Sequence, residues 1–291
     1  MKPAADPASV PIRAAATVMI VDDRPDLHVL LLRRRAASAF VGGMYVFPGG
    51  GVDPHDAEPE VEAICAGLDD ARASARLGVG DGGLAYWVAA TRETFEESGV
   101  LFARHADGDG AFDPRDPALA ERLAAERRAV DAGERRLADV VRECGLRLAV
   151  DAMHYTARWI TPEGPPRRYD TRFFVTALPK GQVSVPDRRE AVHSEWVRPA
   201  DALAHFREGS RAMLPPTVGM LRILEGFERS DALIAAALRD EEGPDRPVRL
   251  AQREGGWNVL LPGEALGGAP SGATLHEMQA WVRLRAAGGE G

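Results

Sequence analysis

Two regimes of hydrophobic patterning alternate along the chain. "AATVMIVDD" (15–23) and "HVLLLRR" (28–34) are near-continuous runs of Val, Leu and Ile separated by the turn signal "DRPDL", and together they predict a β-hairpin. "MYVFPGGGVDPHD" (44–56) reads as a short strand broken by Pro48 and three consecutive glycines. Residues 57–83 hold a short helical segment that ends in the flexible "VGDGG". From Leu84 the period becomes helical: Leu84, Val88, Thr91 and Phe95 fall on one stripe, and Gly99 is placed to stop the helix. Residues 117–145 predict a second amphipathic helix, or two. "HYTARWITP" (154–162) and "RRYDTRFFVTALP" (167–179) predict paired strands around "EGPP", and "SEWVRP" (194–199) a further short core strand. Helical segments follow at 200–208, 215–228 and 231–239, and then a terminal hairpin in "VRLAQREGGWNVLLPGE". No internal repeat is visible. Strands and helices mix without strict βαβ alternation, which favours an α+β arrangement or an α/β sandwich over a doubly wound sheet.

Composition narrows the function more than the fold. The 291 residues are 45% hydrophobic and 27% charged, enough for one large core with an accessory part. The formal net charge of −8 argues against a nucleic-acid partner, which calls for a basic face. The two cysteines, Cys65 and Cys144, have no C-x-x-C spacing and suggest neither a zinc site nor a disulfide framework. The apolar runs are too short for a signal peptide or a membrane span. These features lead us to expect a soluble protein of the cytoplasm.

The chemistry concentrates in "TRETFEESGV" (91–100), where Glu93, Glu96 and Glu97 crowd onto about one helical turn. At about 100° per residue they cluster away from the apolar stripe. Each like-charge pair at this spacing costs roughly 0.2–0.5 kcal/mol. Either water absorbs the charge on a solvated face, or cations sit between the carboxylates. Carboxylates at i, i+3 and i+4 suit hard divalent ions such as Mg²⁺ or Mn²⁺, and Mg²⁺ usually shares substrate phosphates.

With "FPGGG" (47–51) upstream, the sequence resembles the Nudix hydrolases, whose signature is G-x5-E-x7-R-E-U-x-E-E-x-G-U with U a bulky apolar residue. Arg92-Glu93, Glu96-Glu97, Ser98, Gly99 and Val100 match its second half, and Gly50 after Phe47-Pro48-Gly49 matches its start. Asp56 stands where the signature has Glu, and Thr94 where it has an apolar residue. The spacer 57–91 has 35 positions where the signature has seven. A box interrupted in this way is similar to that of the coenzyme A diphosphatase branch. So are "LLLRR…FVGGMYVFPGG", "WITPEGPPRRYDTRFFVTALP" and "LPPTVGMLRIL", and the resemblance spans roughly 14–226.

The resemblance implies a Nudix α/β/α sandwich with a mixed sheet. It divides the chain into an N-terminal arm (1–13), a Nudix domain (14–200) and a C-terminal helical and hairpin extension (201–291). The domain would carry an insertion at 57–83 and a helical segment at 104–146. It implies hydrolysis of a diphosphate with Mg²⁺ or Mn²⁺: Glu93 and Glu97 as principal ligands, Glu96 as ligand or water-binder, the Gly50 carbonyl at the site's edge, and Arg92 orienting the glutamates. Asp56 is either a partner of that cluster or a turn residue. For the general base, Glu190 is the first candidate, Glu195 the second and Glu96 the third; His193 reads better as a surface histidine. Arg168, Tyr169 and Arg172 would contact substrate, or belong to an ordinary sheet in which Arg168 and Arg172 share one face and Tyr169 and Phe173 the other. Arg33 and Arg35 would hold the anionic end of coenzyme A. Trp159, Trp196 and Trp257 read as core residues, and the glycines of 263–273 as a flexible tail. The expected substrate is coenzyme A or an acyl derivative, with ADP-ribose, NADH or a diadenosine polyphosphate as the alternative. A Nudix-fold binding protein without catalysis is a third reading, and a homodimer is compatible with the resemblance.

Overall fold

The computed structural model describes residues 10–36, 42–108, 112, 115–161, 166–240, 247–253 and 256–260. Residues 1–9 of the arm expected at 1–13, residues 163–165 of the EGPP turn and the glycine-rich 263–273 lie outside the described residues. The two apolar runs form the expected hairpin, β1 (Ile12–Asp23) and β2 (Leu27–Arg34), with Asp23 opposite Leu27. The interrupted strand becomes β3 (Tyr45–Val46) and β4 (Gly49–Gly51), and β4 lies antiparallel to the first half of β1 with Gly50 opposite Ala16.

A 3₁₀ turn at Pro54–Ala57, α1 (Pro59–Glu62) and α2 (Asp70–Leu77) lead into α3 (Leu84–Ser98). Gly99 ends α3 in the left-handed region at φ 74°, where a residue without Cβ is favoured. The segment expected to be helical over 104–146 differs at its ends. β5 (Ala103–His105) and β6 (Leu146–Leu148) pair antiparallel and bracket α4 (Pro117–Asp131) and α5 (Leu137–Glu143). Three-residue strands are too short to show a period of two, so the sequence pattern does not reveal them.

β7 (His154–Ile160) and β8 (Arg168–Ala177) pair as expected, and β9 (Ala191–Val197) joins the outer edge of β2. Three helices follow, α6 (Pro199–Arg207), α7 (Pro215–Glu225) and α8 (Ser230–Asp240), and then the hairpin β10 (Pro247–Arg253) and β11 (Gly256–Leu260). Among the described residues the main sheet runs β11-β10-β7-β8-β1-β2-β3, with β4 on β1 and β9 on β2. It is mixed: β1–β8 and β10–β7 are parallel, the other pairs antiparallel.

Alternation along the strands divides the core in two. Val18, Ile20, Leu30, Leu32 and Phe174 face a layer containing α3 and the α4–α5 unit. Met19, Val21, Val29, Leu31 and Val175 face the opposite layer, built from α6, α7 and α8. The helices expected in a C-terminal extension therefore cover the second face of the sheet. Trp159 is a core residue on that face, and Trp196 packs against the first core with Arg24 over its ring at 4.3 Å.

Candidate active site

Helix α3 is buried on nearly every side, as befits a helix pressed between a sheet and a further helical layer, and its buried residues include Thr91, Thr94, Glu97 and Ser98. Its glutamates do not occupy a solvated face. Glu97 is 6% exposed, and the Glu93 and Glu96 side chains are 17% and 15% exposed. The water-absorbed alternative is therefore removed, and the charge must be met by protein groups or by a bound cation.

Arg92 organises the cluster. It donates to Asp56 from Nε at 3.0 Å and Nη2 at 2.9 Å, to Glu93 at 2.9 Å, to both Glu96 oxygens at 3.3 Å and to the Gly51 carbonyl at 2.8 Å. Asp56 is buried and also accepts the Asp53 N–H at 2.8 Å, while Asp53 caps the same 3₁₀ turn. Asp56 is thus both of the things its position allowed: the turn residue is the anchor of Arg92. The capping turn brings the shorter carboxylate to the guanidinium despite the missing methylene.

The glycine loop meets the helix closely. The Gly49 N–H donates to Glu97 at 2.9 Å. A Cβ on Gly50 would stand 2.5 Å from the Glu93 carboxyl carbon, so only glycine admits Glu93 here. Burial pushes Glu97 well above the ordinary carboxylate range, and the charge on Glu93 adds to it. Burial likewise raises Glu93, raises Glu96 to about 8, and raises Asp56 in spite of Arg92. For Arg92 burial acts the other way, but Asp56, Glu93 and Glu96 outweigh it and keep the guanidinium charged.

The loop after β8 is fastened to the C-terminal end of α3. Val185 N–H donates to the Ser98 carbonyl at 2.8 Å and Asp187 N–H to the Glu97 carbonyl at 3.2 Å, filling acceptors that a helix end leaves open. The Asp187 carboxylate then accepts the N–H groups of Arg189, Glu190 and Ala191, which fixes the turn carrying Glu190. Arg34 joins the two parts, donating to Glu190 at 2.9 Å with its other terminal nitrogen 3.6 Å from Glu97.

Several sequence-predicted residues are not brought to this cluster. Arg33 projects from the opposite face of β2, 5.9 Å over the Tyr45 ring, and Arg35 donates to the Arg188 carbonyl. Arg34, between them, is the strand residue on the α3 side. Strand alternation from Leu30 and Leu32, both on that face, was the signal that identifies it. Glu195 sits opposite Leu31 on the far face and is held by Arg211, and His193 lies opposite Arg33 on the same side. Arg168 and Arg172 do share a face, but Arg172 is 1% exposed, donates to Asp170 at 2.6 Å and lies 5.3 Å over Tyr86. It supports the sheet beneath α3 rather than reaching into a cleft. Arg168 donates to the Thr161 carbonyl, and the Tyr169 N–H bonds the Thr161 hydroxyl. Arg127 escaped the sequence reading; its Nε caps the Glu96 carbonyl at 2.9 Å.

The donor set fits a hard divalent cation: buried oxygens, carboxylates whose pKa is raised chiefly by burial, and a nearby backbone loop with no Cβ in the way. Among the described residues no three such side chains converge at ligating distance on one point; Arg92 donates to Glu93 and the Gly49 N–H to Glu97. Bound cations would take over the compensation that these donors now supply.

A glutamate helix facing a glycine loop, on a mixed sheet between two helical layers, defines the Nudix hydrolase class. Within it, residues 72–224, just over half the chain, match the model of the NUDT19 Nudix domain, and the chain belongs to that family. It is 28% identical over 271 residues to the human acyl-coenzyme A diphosphatase NUDT19, covering 82% of this chain and 72% of that protein. The corresponding protein of Gallus gallus is 29% identical over 306 residues, covering 87% of this chain and 79% of that one. The crystal structure of a Nudix hydrolase from Alicyclobacillus acidocaldarius superposes with a TM-score of 0.59 at 26% identity, covering 78% of this chain and 97% of that chain. Among the described residues no helix is long and apolar enough to cross a membrane.

Proposed function

We propose that this protein hydrolyses the diphosphate of coenzyme A or acyl-coenzyme A, giving 3′,5′-ADP and phosphopantetheine or its acyl derivative. The observation that carries the substrate class is the similarity, over more than four-fifths of the chain, to proteins named acyl-coenzyme A diphosphatase. The chemistry rests on the buried carboxylates of α3.

Glu93 and Glu97 would hold Mg²⁺ or Mn²⁺, with Glu96 as a third oxygen donor or water-binder and the Gly50 carbonyl at the edge. The cation, when bound, would offset the charge of the diphosphate and make its phosphorus a better electrophile. Arg92 is a positioning residue: anchored by Asp56, it sets the orientation of Glu93 and Glu96. Glu190 is the proposed base, held by Arg34 beside Glu97 on a turn fixed by Asp187. It would take a proton from the attacking water as the new P–O bond forms and the P–O–P bridge breaks. The bridging oxygen leaves on the second phosphate. Glu195 is excluded from this role by its place on the opposite face.

The test is a parallel hydrolysis screen of coenzyme A, acetyl-coenzyme A, NADH, ADP-ribose and diadenosine tetraphosphate, with Mg²⁺ or Mn²⁺ and products identified by mass. Preferential release of 3′,5′-ADP supports the proposal. Preference for another substrate discards coenzyme A and keeps the diphosphatase chemistry. Absence of turnover on all five discards both.

A further inference from the structure

The segment 57–83 that interrupts the glutamate signature is folded into the first core: Val61, Ile64, Leu68, Ala73 and Leu77 are buried there. Within it α2 is a helix with its own stops. Asp69 caps its start by accepting the Arg72 N–H at 2.8 Å, and Gly78 ends it in the left-handed region at φ 65°. Asp70, one residue on, is therefore available to another element.

That element is α3. The first N–H groups of a helix have no partner within it, and α3 supplies no cap of its own: its N-cap is Gly83, and its first turn holds no acidic residue. The Asp70 carboxylate accepts the Leu84 N–H at 2.9 Å with one oxygen and the Gly82 N–H at 3.0 Å with the other. The Ser74 hydroxyl oxygen accepts the Gly83 N–H at 2.9 Å. Three successive N–H groups thus converge on two side chains of α2. Gly82 at φ 72° followed by Gly83 in the right-handed region makes the concave turn that presents N–H groups to an anion, and Asp70 is that anion. Its charge also sits at the positive end of the α3 dipole. The approach is close, since a Cβ on Gly83 would stand 2.4 Å from the Ser74 backbone nitrogen.

The Val185 and Asp187 N–H groups hold the other end, so α3 is clamped at both ends by segments outside it. Leu84 lies about 14 Å along the helix axis from Glu93, and a helix carries a shift at its end into the site. The site tolerates little: Glu97 accepts the Gly49 N–H at 2.9 Å, and Glu93 leaves no room for a Cβ on Gly50. Resting on the metal chemistry proposed above, we propose that Asp70 and Ser74 are positioning residues for it. Through the N-terminus of α3 they set where Glu93 and Glu97 stand against the glycine loop. The interruption of the signature is then a splint for the glutamate helix, and not a gate for substrate.

The experiment compares the full chain as wild type, Asp70→Ala and Asp70→Asn with a control, Val218→Ala, which thins the core on the far side of the sheet. Mn²⁺ binding without substrate is followed by electron paramagnetic resonance of the free ion. Turnover of coenzyme A at saturating Mn²⁺ gives kcat and KM, at a temperature where circular dichroism shows the proteins folded. Asp70→Ala is expected to weaken Mn²⁺ binding and lower kcat, each at least about fivefold, with KM within about twofold of wild type. Asp70→Asn, whose amide oxygen still accepts one N–H, falls between wild type and Asp70→Ala, and Val218→Ala matches wild type. Unchanged Mn²⁺ affinity and kcat in Asp70→Ala, equal losses in Val218→Ala, or a raised KM with kcat unchanged would overturn the splint. If Asp70→Ala does not fold, Asp70→Asn decides: losses in both readouts support the proposal and wild-type values overturn it. Weakened Mn²⁺ binding in the Asp70 variants, with no turnover of coenzyme A by wild type, overturns the proposed reaction and keeps the splint. Wild-type turnover that Asp70→Ala leaves unaltered does the reverse.

Discussion

Replacing Asp56 by alanine tests the arrangement around Arg92. The carboxylate lost is almost fully buried and accepts two hydrogen bonds from the guanidinium, at 3.0 and 2.9 Å, and one from the Asp53 N–H at 2.8 Å. Breaking a buried ion pair by removing one partner costs about 3–5 kcal/mol when the other charge is left uncompensated. Arg92 keeps Glu93 at 2.9 Å and the Gly51 carbonyl at 2.8 Å, so the cost falls below that ceiling. Removing Asp56 also relieves its own burial penalty, which already raises its pKa. Loss of the capping box returns about 1 kcal/mol to the cost. The balance is a destabilisation of about 2–4 kcal/mol, or a fall in Tm of roughly 5–15 °C for a domain of this size. A second effect is functional. Arg92, released from Asp56, is free to pair more closely with Glu93 and Glu96, so the Mn²⁺ concentration for half-maximal activity rises. Thermal unfolding by circular dichroism and a Mn²⁺ titration of turnover read the two effects. A Tm within about 1 °C of wild type together with an unchanged Mn²⁺ requirement would refute the reasoning and return Asp56 to the role of a turn residue.

Two further outcomes follow from the same geometry. Gly50→Ala places a Cβ 2.5 Å from the flexible end of Glu93; turnover is expected to fall at least about tenfold with a stability change under about 1 kcal/mol, and activity near wild type would contradict the placement of Glu93. In the metal-free protein Glu96 is raised to about 8 by burial, whereas an unfolded glutamate ionises near 4.3. The fold binds the extra proton between these values, so its stability falls as pH rises through that window, and Glu93 and Glu97 act in the same direction. Tm measured in EDTA should decline from about pH 5 to 8, and the gain from saturating Mn²⁺ should grow over that range; a flat gain would contradict proton–metal competition at the cluster.

What the sequence revealed and concealed has a physical pattern. Helix α3 was legible because the stripe of Leu84, Val88, Thr91 and Phe95 runs along it and Gly99 stops it. The glutamates were legible because three carboxylates on one turn demand compensation. Arg34 stands between two other arginines, and only strand parity separates them: Leu30 and Leu32 point toward α3, so Arg34 does too, and Arg33 cannot. Arg172 looked like a phosphate ligand because arginine in a strand usually reaches solvent; its burial depends on Asp170 and Tyr86, a partnership set by tertiary packing. The same holds for Asp56, whose role becomes visible only when the 3₁₀ turn folds it against a helix 36 residues on. The pairing of β5 with β6 depends on two three-residue strands separated by both α4 and α5, and no local signal carries it.

The most direct test of the account is Mn²⁺-dependent hydrolysis of coenzyme A by wild type and Glu97→Gln, with products resolved by mass. The amide keeps the size of the side chain and an acceptor for the Gly49 N–H, but not the charge a cation requires. Release of 3′,5′-ADP and phosphopantetheine by wild type only when metal is present, with turnover reduced at least roughly a hundredfold in Glu97→Gln, is the predicted result. Equal turnover by the two proteins would contradict it and remove the glutamates of α3 from the chemistry.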